Sequence, residues 1–224
     1  MKRSREVEKG SEIEAAIKEL SMLIELKPTG DNLDSATAVH IPTRLFLNVC
    51  NLVIQVLDKI GPTMAVLRQD IYQNIQRLEM LCDSDPPMYT NLVEILKKEA
   101  GEGSARKGAS CSKAFVWLAR SLDFTAALLE RLAEDPGQKM EQLVEESYNI
   151  TLKPWHGWIS AAAYKVSLKL LPDNKTFINL LMPKDETYDT LKEHMQTFIS
   201  LLVPFLEEIH SILTLYGLDR LKCT

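Results

Sequence analysis

YNITLKPWHGWI, residues 148–159, gathers two of the chain's three tryptophans and one of its four histidines. Helical stretches flank Pro154, which breaks the backbone ladder between them. The segment therefore reads as a corner between two helices, with Trp155, His156 and Trp158 held at the turn. A histidine among apolar residues is ordinarily a satisfied core group. In a corner rich in aromatic rings it is equally suited to grip a ligand, and the segment alone leaves both readings open.

Outward from this corner the same helical period recurs, and convincing strand alternation is absent. Ser11 and Glu14 form a capping box ahead of Ile13, Ile17, Leu20 and Ile24, which predicts a first amphipathic helix. KPTGDN, residues 27–32, ends it. A second helix is expected over 42–60, a third from Pro62 to Cys82, and a short fourth after Asp85 that stops before GEGSARKGAS. A long helix over 111–133 follows, then the two around Pro154, a short one after Pro172, and a long one from Asp185 to Tyr216 that Pro204 kinks or interrupts. The sum is an all-α chain of about eight or nine helices with no internal repeat. The division expected is an N-terminal extension over 1–40 and one domain over 41–224.

Composition narrows the function classes. With 46% hydrophobic and 25% charged residues the chain matches a soluble globular protein. Net charge −5 argues against nucleic acid, which needs a concentrated basic surface. MKRSREVEK lacks the apolar core of a signal peptide, and no run of 18 apolar residues occurs. Cys50, Cys82, Cys111 and Cys223 are widely spaced and read as reduced thiols, so a cytoplasmic protein is expected and the sequons at Asn149 and Asn174 stay unmodified.

Dedicated catalytic and metal motifs are missing. There is no HExxH, Cys/His quartet or EF-hand loop, so no metal and no cofactor is expected. GSARKGAS resembles a phosphate-binding loop but lacks the lysine after its second glycine and follows a helix. Cys111 is placed at a helix N-terminus, where the dipole favours thiolate. No histidine pairs with it in any motif, so a catalytic thiol is disfavoured.

The polar chemistry that is present lies on helices. Asp70, Asn74 and Arg77 fall at i, i+4 and i+7 and share one face, about 100° around the helix from the Ile71/Ile75/Leu78 stripe. Such a row is ordinarily a solvated face. A carboxylate, an amide and a guanidinium together also match a polyhydroxylated ligand, whose hydroxyls both donate and accept. Trp117 adds a flat surface of the kind that packs on the C–H face of a sugar, or a core aromatic. His156 can donate from one ring nitrogen and accept at the other.

Three segments, DIYQNIQRL (70–78), WLARSLDF (117–124) and YNITLKPWHGWI (148–159), together resemble the glycolipid transfer protein family, its plant members in particular. They match the family's D-I-x-x-N-I pattern with a following basic residue, its W-L-x-R-x-L-x-F and its aromatic-H-G-W-I signature. The order and spacing agree over about residues 42–172. The resemblance implies a two-layer all-helical sandwich that takes a glycosphingolipid, its chains in an apolar tunnel and its sugar on a surface recognition centre. On this likeness Asp70, Asn74 and Arg77 bond the headgroup, Trp117 stacks on the first sugar, and His156 takes the ceramide carbonyl while Asp70 takes the ceramide N–H. Trp158 is then the residue that touches the membrane, Leu118 and Phe124 line the tunnel, and Trp155 is mainly structural.

The expected activity is intermembrane transfer by a monomeric carrier with transient peripheral membrane contact and no enzymatic step. A ceramide-1-phosphate carrier and a glycolipid sensor acting through a protein partner are the alternatives. Phosphorylated-ceramide carriers of the same fold place basic side chains where Asn74 and Trp117 stand, which favours a glycosylceramide here. The tail DRLKCT offers no tyrosine of the kind that closes over the ligand in some members.

Overall fold

The structure is a computed structural model and describes residues 11–25, 40–183 and 185–222. The KPTGDN break, the rest of the 1–40 extension and Cys223 lie outside the described residues, apart from 11–25 and His40. Ten α-helices occur among the described residues: α1 (Glu12–Glu25), α2 (Thr43–Ile60), α3 (Ala65–Ser84), α4 (Pro86–Tyr89), α5 (Leu92–Gly101), α6 (Cys111–Glu134), α7 (Met140–Thr151), α8 (Trp158–Leu168), α9 (Asn174–Leu181) and α10 (Tyr188–Leu215). The expected count of eight or nine rises because the helical stretch after Asp85 divides. Asn91 caps α5 by accepting from the Val93 amide at 3.1 Å, and the same oxygen accepts from the Ile41 amide at 3.0 Å. One side chain thus starts α5 and pins the segment leading into α2.

Ser11 and Glu14 satisfy each other's backbone amides at the start of α1, at 3.2 and 2.7 Å, as a capping box requires. The buried side is Ile13, Ala16, Leu20 and Leu23, whereas Ile24 is exposed. α1 packs between α2 and α10. Its three large apolar residues contribute about 5–9 kcal/mol of burial before the entropy of ordering is counted. α1, within the 1–40 extension, packs into the same core as the helices of 41–224.

Packing runs α1–α2–α3–α6–α10 and back to α1, with α7 against α6, α8 against α7, and α9 against α2. Phe46 of α2 meets Phe115 of α6 edge-on at 5.1 Å at the centre of that ring of helices. α10 is uninterrupted. Pro204 lies on its exposed side, where the carbonyl left without an amide partner is open to solvent. By length and composition α10 could cross a membrane, with a mean hydropathy of 1.6 over its most apolar window. Leu191, Met195, Phe198, Leu202, Phe205 and Ile209 instead face the core, which accounts for that hydropathy without a bilayer.

Candidate ligand-binding site

α3 packs on α6, so the polar face of one and the aromatic residue of the other meet at a common cavity of about 480 Å³. Asp70, Asn74, Trp117, Phe124 and His156 line it. Asn74 donates from Nδ2 to the Asp70 carbonyl at 3.0 Å, and its Oδ1 accepts from Arg77 Nη1 at 3.2 Å. Arg77 itself does not line the cavity; it holds the amide in one orientation from the side. Asp70 lies at the mouth, and burial against the cleft raises its carboxyl above the usual range, with Arg77 opposing that shift.

The corner between α7 and α8 supplies the facing wall. The His156 ring sits 5.6 Å from Trp117 and 5.5 Å from Tyr148, centroid to centroid. Burial, and then the Arg120 guanidinium, lowers the His156 pKa, so the ring is neutral at pH 7. Its Nδ1 is buried with no hydrogen-bond partner among the described residues. A neutral ring with a free nitrogen is suited to an uncharged polar group of a ligand.

Arg120, which the sequence reading passed over, organises this wall. It is 3% exposed and sits between two tryptophans, 4.9 Å from the Trp117 ring and 4.2 Å from Trp155. Its Nη1 and Nη2 donate to the carbonyls of Leu221 and Asp219 at 2.6 and 2.9 Å. The clue was available: Arg120 lies at i+3 from Trp117, on the same side of α6. Trp155 is thus structural in a specific sense, as the far plate of this sandwich.

The remainder of the cavity is mainly apolar, with Glu12, Ser121, Thr125, Ser160 and Ser167 as polar exceptions. Ile13 and Ala16 of α1, Val49 and Val53 of α2, Leu128 of α6, Val144 of α7, Phe177 of α9 and Phe198 of α10 all contribute. Leu118 does not. It is buried in the core, because successive positions on a helix are turned by 100° and Trp117 already takes the cavity side. Ser121, Phe124, Thr125 and Leu128 follow Trp117 along the lining stripe. At the mouth the apolar surface turns outward: Trp158 is 81% exposed and Val66 75%, with Ile159 and Val166 also exposed.

Two other features fall outside this chemistry. Cys111 does begin α6, but burial, and next the Glu99 carboxylate, pushes its thiol up to about 11, against the dipole expectation. Glu14, Glu186 and His194 bring ligand atoms within 4.8 Å of one another where α1 meets the start of α10, and share no residue with the cavity.

The sequence profile of the glycolipid transfer protein family matches residues 41–183. Glycolipid transfer protein 3 of Arabidopsis thaliana is 54% identical over 224 residues, covering 99% of this chain and 96% of that protein. Glycolipid transfer protein 2 of the same plant is 56% identical over 225 residues, covering 99% of each. Among solved structures, that of FAPP2, described as selecting simple glycosphingolipids with the GLTP-fold, superposes with a TM-score of 0.73 at 26% identity, covering 85% of this chain and 92% of that one. Mouse ceramide-1-phosphate transfer protein superposes at 0.79 with 17% identity, covering 93% and 99%, a likeness of fold.

Proposed function

This chain belongs to the glycolipid transfer protein family, and from that membership we propose that it carries glycosylceramides between membranes, sugar at the α3–α6 mouth and chains in the apolar cavity. Lipid transfer is the activity of the family, and the chain is a carrier that leaves its lipid unchanged. The physical need is large. Exposing lipid chains to water costs about 0.8 kcal/mol per CH₂, on the order of 13 kcal/mol for sixteen carbons. An apolar enclosure removes most of that barrier without any nucleophile or cofactor.

The observation that carries the headgroup assignment is the set of groups at one end of an apolar cavity: a carboxylate, an amide, a tryptophan plane and a neutral imidazole. Neither lysine nor arginine lines the cavity among the described residues. A phosphate would face the Asp70 carboxylate there, whereas sugar hydroxyls find an acceptor at Asp70, the fixed amide of Asn74 and the Trp117 face. His156 takes the ceramide carbonyl and Asp70 the amide N–H. Arg77 acts through Asn74. Trp158, with Val66, Ile159 and Val166, forms an apolar rim that enters the headgroup layer transiently. The carrier works in the cytoplasm as a monomer.

Vesicle-to-vesicle transfer of matched lipids tests the reading. Glucosyl- or galactosylceramide is expected to move faster than ceramide-1-phosphate of the same chain length. The reverse ranking would overturn the headgroup assignment.

A further inference from the structure

Two hydroxyls in the cavity wall have no role in what has been described. Tyr148 of α7 and Tyr164 of α8 stack face to face, with centroids 3.5 Å apart and planes 5° from parallel. Both rings line the cavity, and both hydroxyl oxygens are sealed from solvent with no hydrogen-bond partner among the described residues. Burial raises both pKa values, that of Tyr164 to about 12, so each hydroxyl stays protonated and can donate as well as accept. An unpartnered hydroxyl inside an apolar wall is costly, and phenylalanine would give the same packing without that cost.

The rings continue a line. Trp117, His156, Tyr148 and Tyr164 follow one another at 5.6, 5.5 and 3.5 Å, so the two tyrosines are the next rings beyond His156 on the side away from Trp117 in this chain of contacts. If His156 holds the ceramide carbonyl, the next atoms inward are the first carbons of the chains. We propose that Tyr148 and Tyr164 select sphingolipids bearing an extra hydroxyl beside the amide, and that this hydroxyl supplies the partner the two tyrosines lack. The inference rests on the ceramide reading of the cavity. Such a hydroxyl belongs either to the acyl carbon next to the carbonyl or to the long-chain base near the amide; the chemistry offered to the tyrosines is the same. Access costs little packing. A parallel sandwich is the arrangement aromatic pairs favour least, and α8 has no fully buried residue.

The test compares glucosylceramides of one chain length that carry no extra hydroxyl, a 2-hydroxyl on the acyl chain, or an extra hydroxyl on the base. Binding and transfer are measured for the native protein, Tyr148→Phe, Tyr164→Phe and the double variant. One recovered hydrogen bond gives roughly a five- to tenfold preference for a hydroxylated lipid in the native protein. The double variant should bring the three lipids within about twofold of one another. Whichever hydroxyl position shows the preference identifies its source. Thermal melting supplies the second readout: the Phe variants should be as stable as the native protein or more so, since they remove an unpartnered hydroxyl. A native ratio within twofold for both hydroxylated lipids, or a preference that survives the double variant, overturns the inference while transfer of plain glucosylceramide leaves the carrier reading intact. Destabilised Phe variants would assign the hydroxyls to a structural hydrogen bond instead. If no glucosylceramide moves at all, both readings fall together.

Discussion

Replacing Arg120 by methionine tests whether the proposed sugar platform, Trp117, depends on the C-terminal segment. The substitution keeps the apolar stem between Trp117 and Trp155 and removes the charge and its planar fork. Two charge-assisted bonds to the Asp219 and Leu221 carbonyls are lost, at about 1.5–3 kcal/mol each. The two ring contacts contribute a further 0.5–2 kcal/mol each at most, of which methionine recovers part as sulfur–ring packing. The expected destabilisation is at least about 3 kcal/mol, near the upper end for one substitution. For a chain of this size it lowers Tm by at least about 6 °C. Chemical denaturation measures the first quantity. Glucosylceramide transfer at a temperature where both proteins are folded measures the coupling itself, and should fall by at least tenfold because Trp117 is no longer held. NMR titration separates positioning from a mere loss of stability: with the guanidinium gone, the His156 pKa should move up towards its ordinary value of about 6.5. Arg120→Lys should restore the His156 pKa without restoring the paired carbonyl bonds. Native-like stability together with native transfer in Arg120→Met would refute the coupling.

Two further outcomes follow from the site. Asp70 has a raised pKa, so the folded protein binds its proton more tightly than the unfolded chain does; its ionised form opposes folding, and that opposition grows as pH rises through the window above about 3.9. Asp70→Asn should therefore melt no lower than the native protein at pH 7, flatten the decline of stability that begins above about pH 3.9, and still lose transfer; a large drop in Tm would make Asp70 a structural residue. Trp158→Ser should weaken binding to neutral vesicles several-fold while affinity for a short-chain, water-soluble glycosylceramide stays within twofold, measured by vesicle flotation and calorimetry; equal loss in both would move Trp158 from the membrane rim into the ligand site.

The helices were legible in the sequence because each carries its own stop signals and stripe: the Ser11–Glu14 box, the Gly61-Pro62 break and the period through α6 all act within a few residues. The site was legible where residues share one helix face, as Asp70 and Asn74 do. What periodicity omits is which element comes to rest against which. The placement of α1 depends on where a connector brings it, so a helix read as an extension proved to be a wall of the core and of the cavity. Leu118 was a different kind of error, since the period that put Trp117 in the cavity already excluded its neighbour.

The unread part of the site is also the part with the longest sequence separation. Arg120 finds its carbonyl partners 99 and 101 residues away, at the far end of the chain, and its ring partner Trp155 at the α7–α8 corner. One guanidinium thereby joins three segments that no local pattern relates, and its charge is also a cause of His156 remaining neutral. On the proposed reading, the headgroup site has its acceptors on α3 set by local spacing and its aromatic plane set by long-range closure. Substitutions on α3 should then alter which headgroup is preferred, whereas substitutions around Arg120 should lower transfer of every lipid alike. That difference is measurable as a changed ratio against a changed common rate, and it follows from which contacts are local and which require the chain to close on itself.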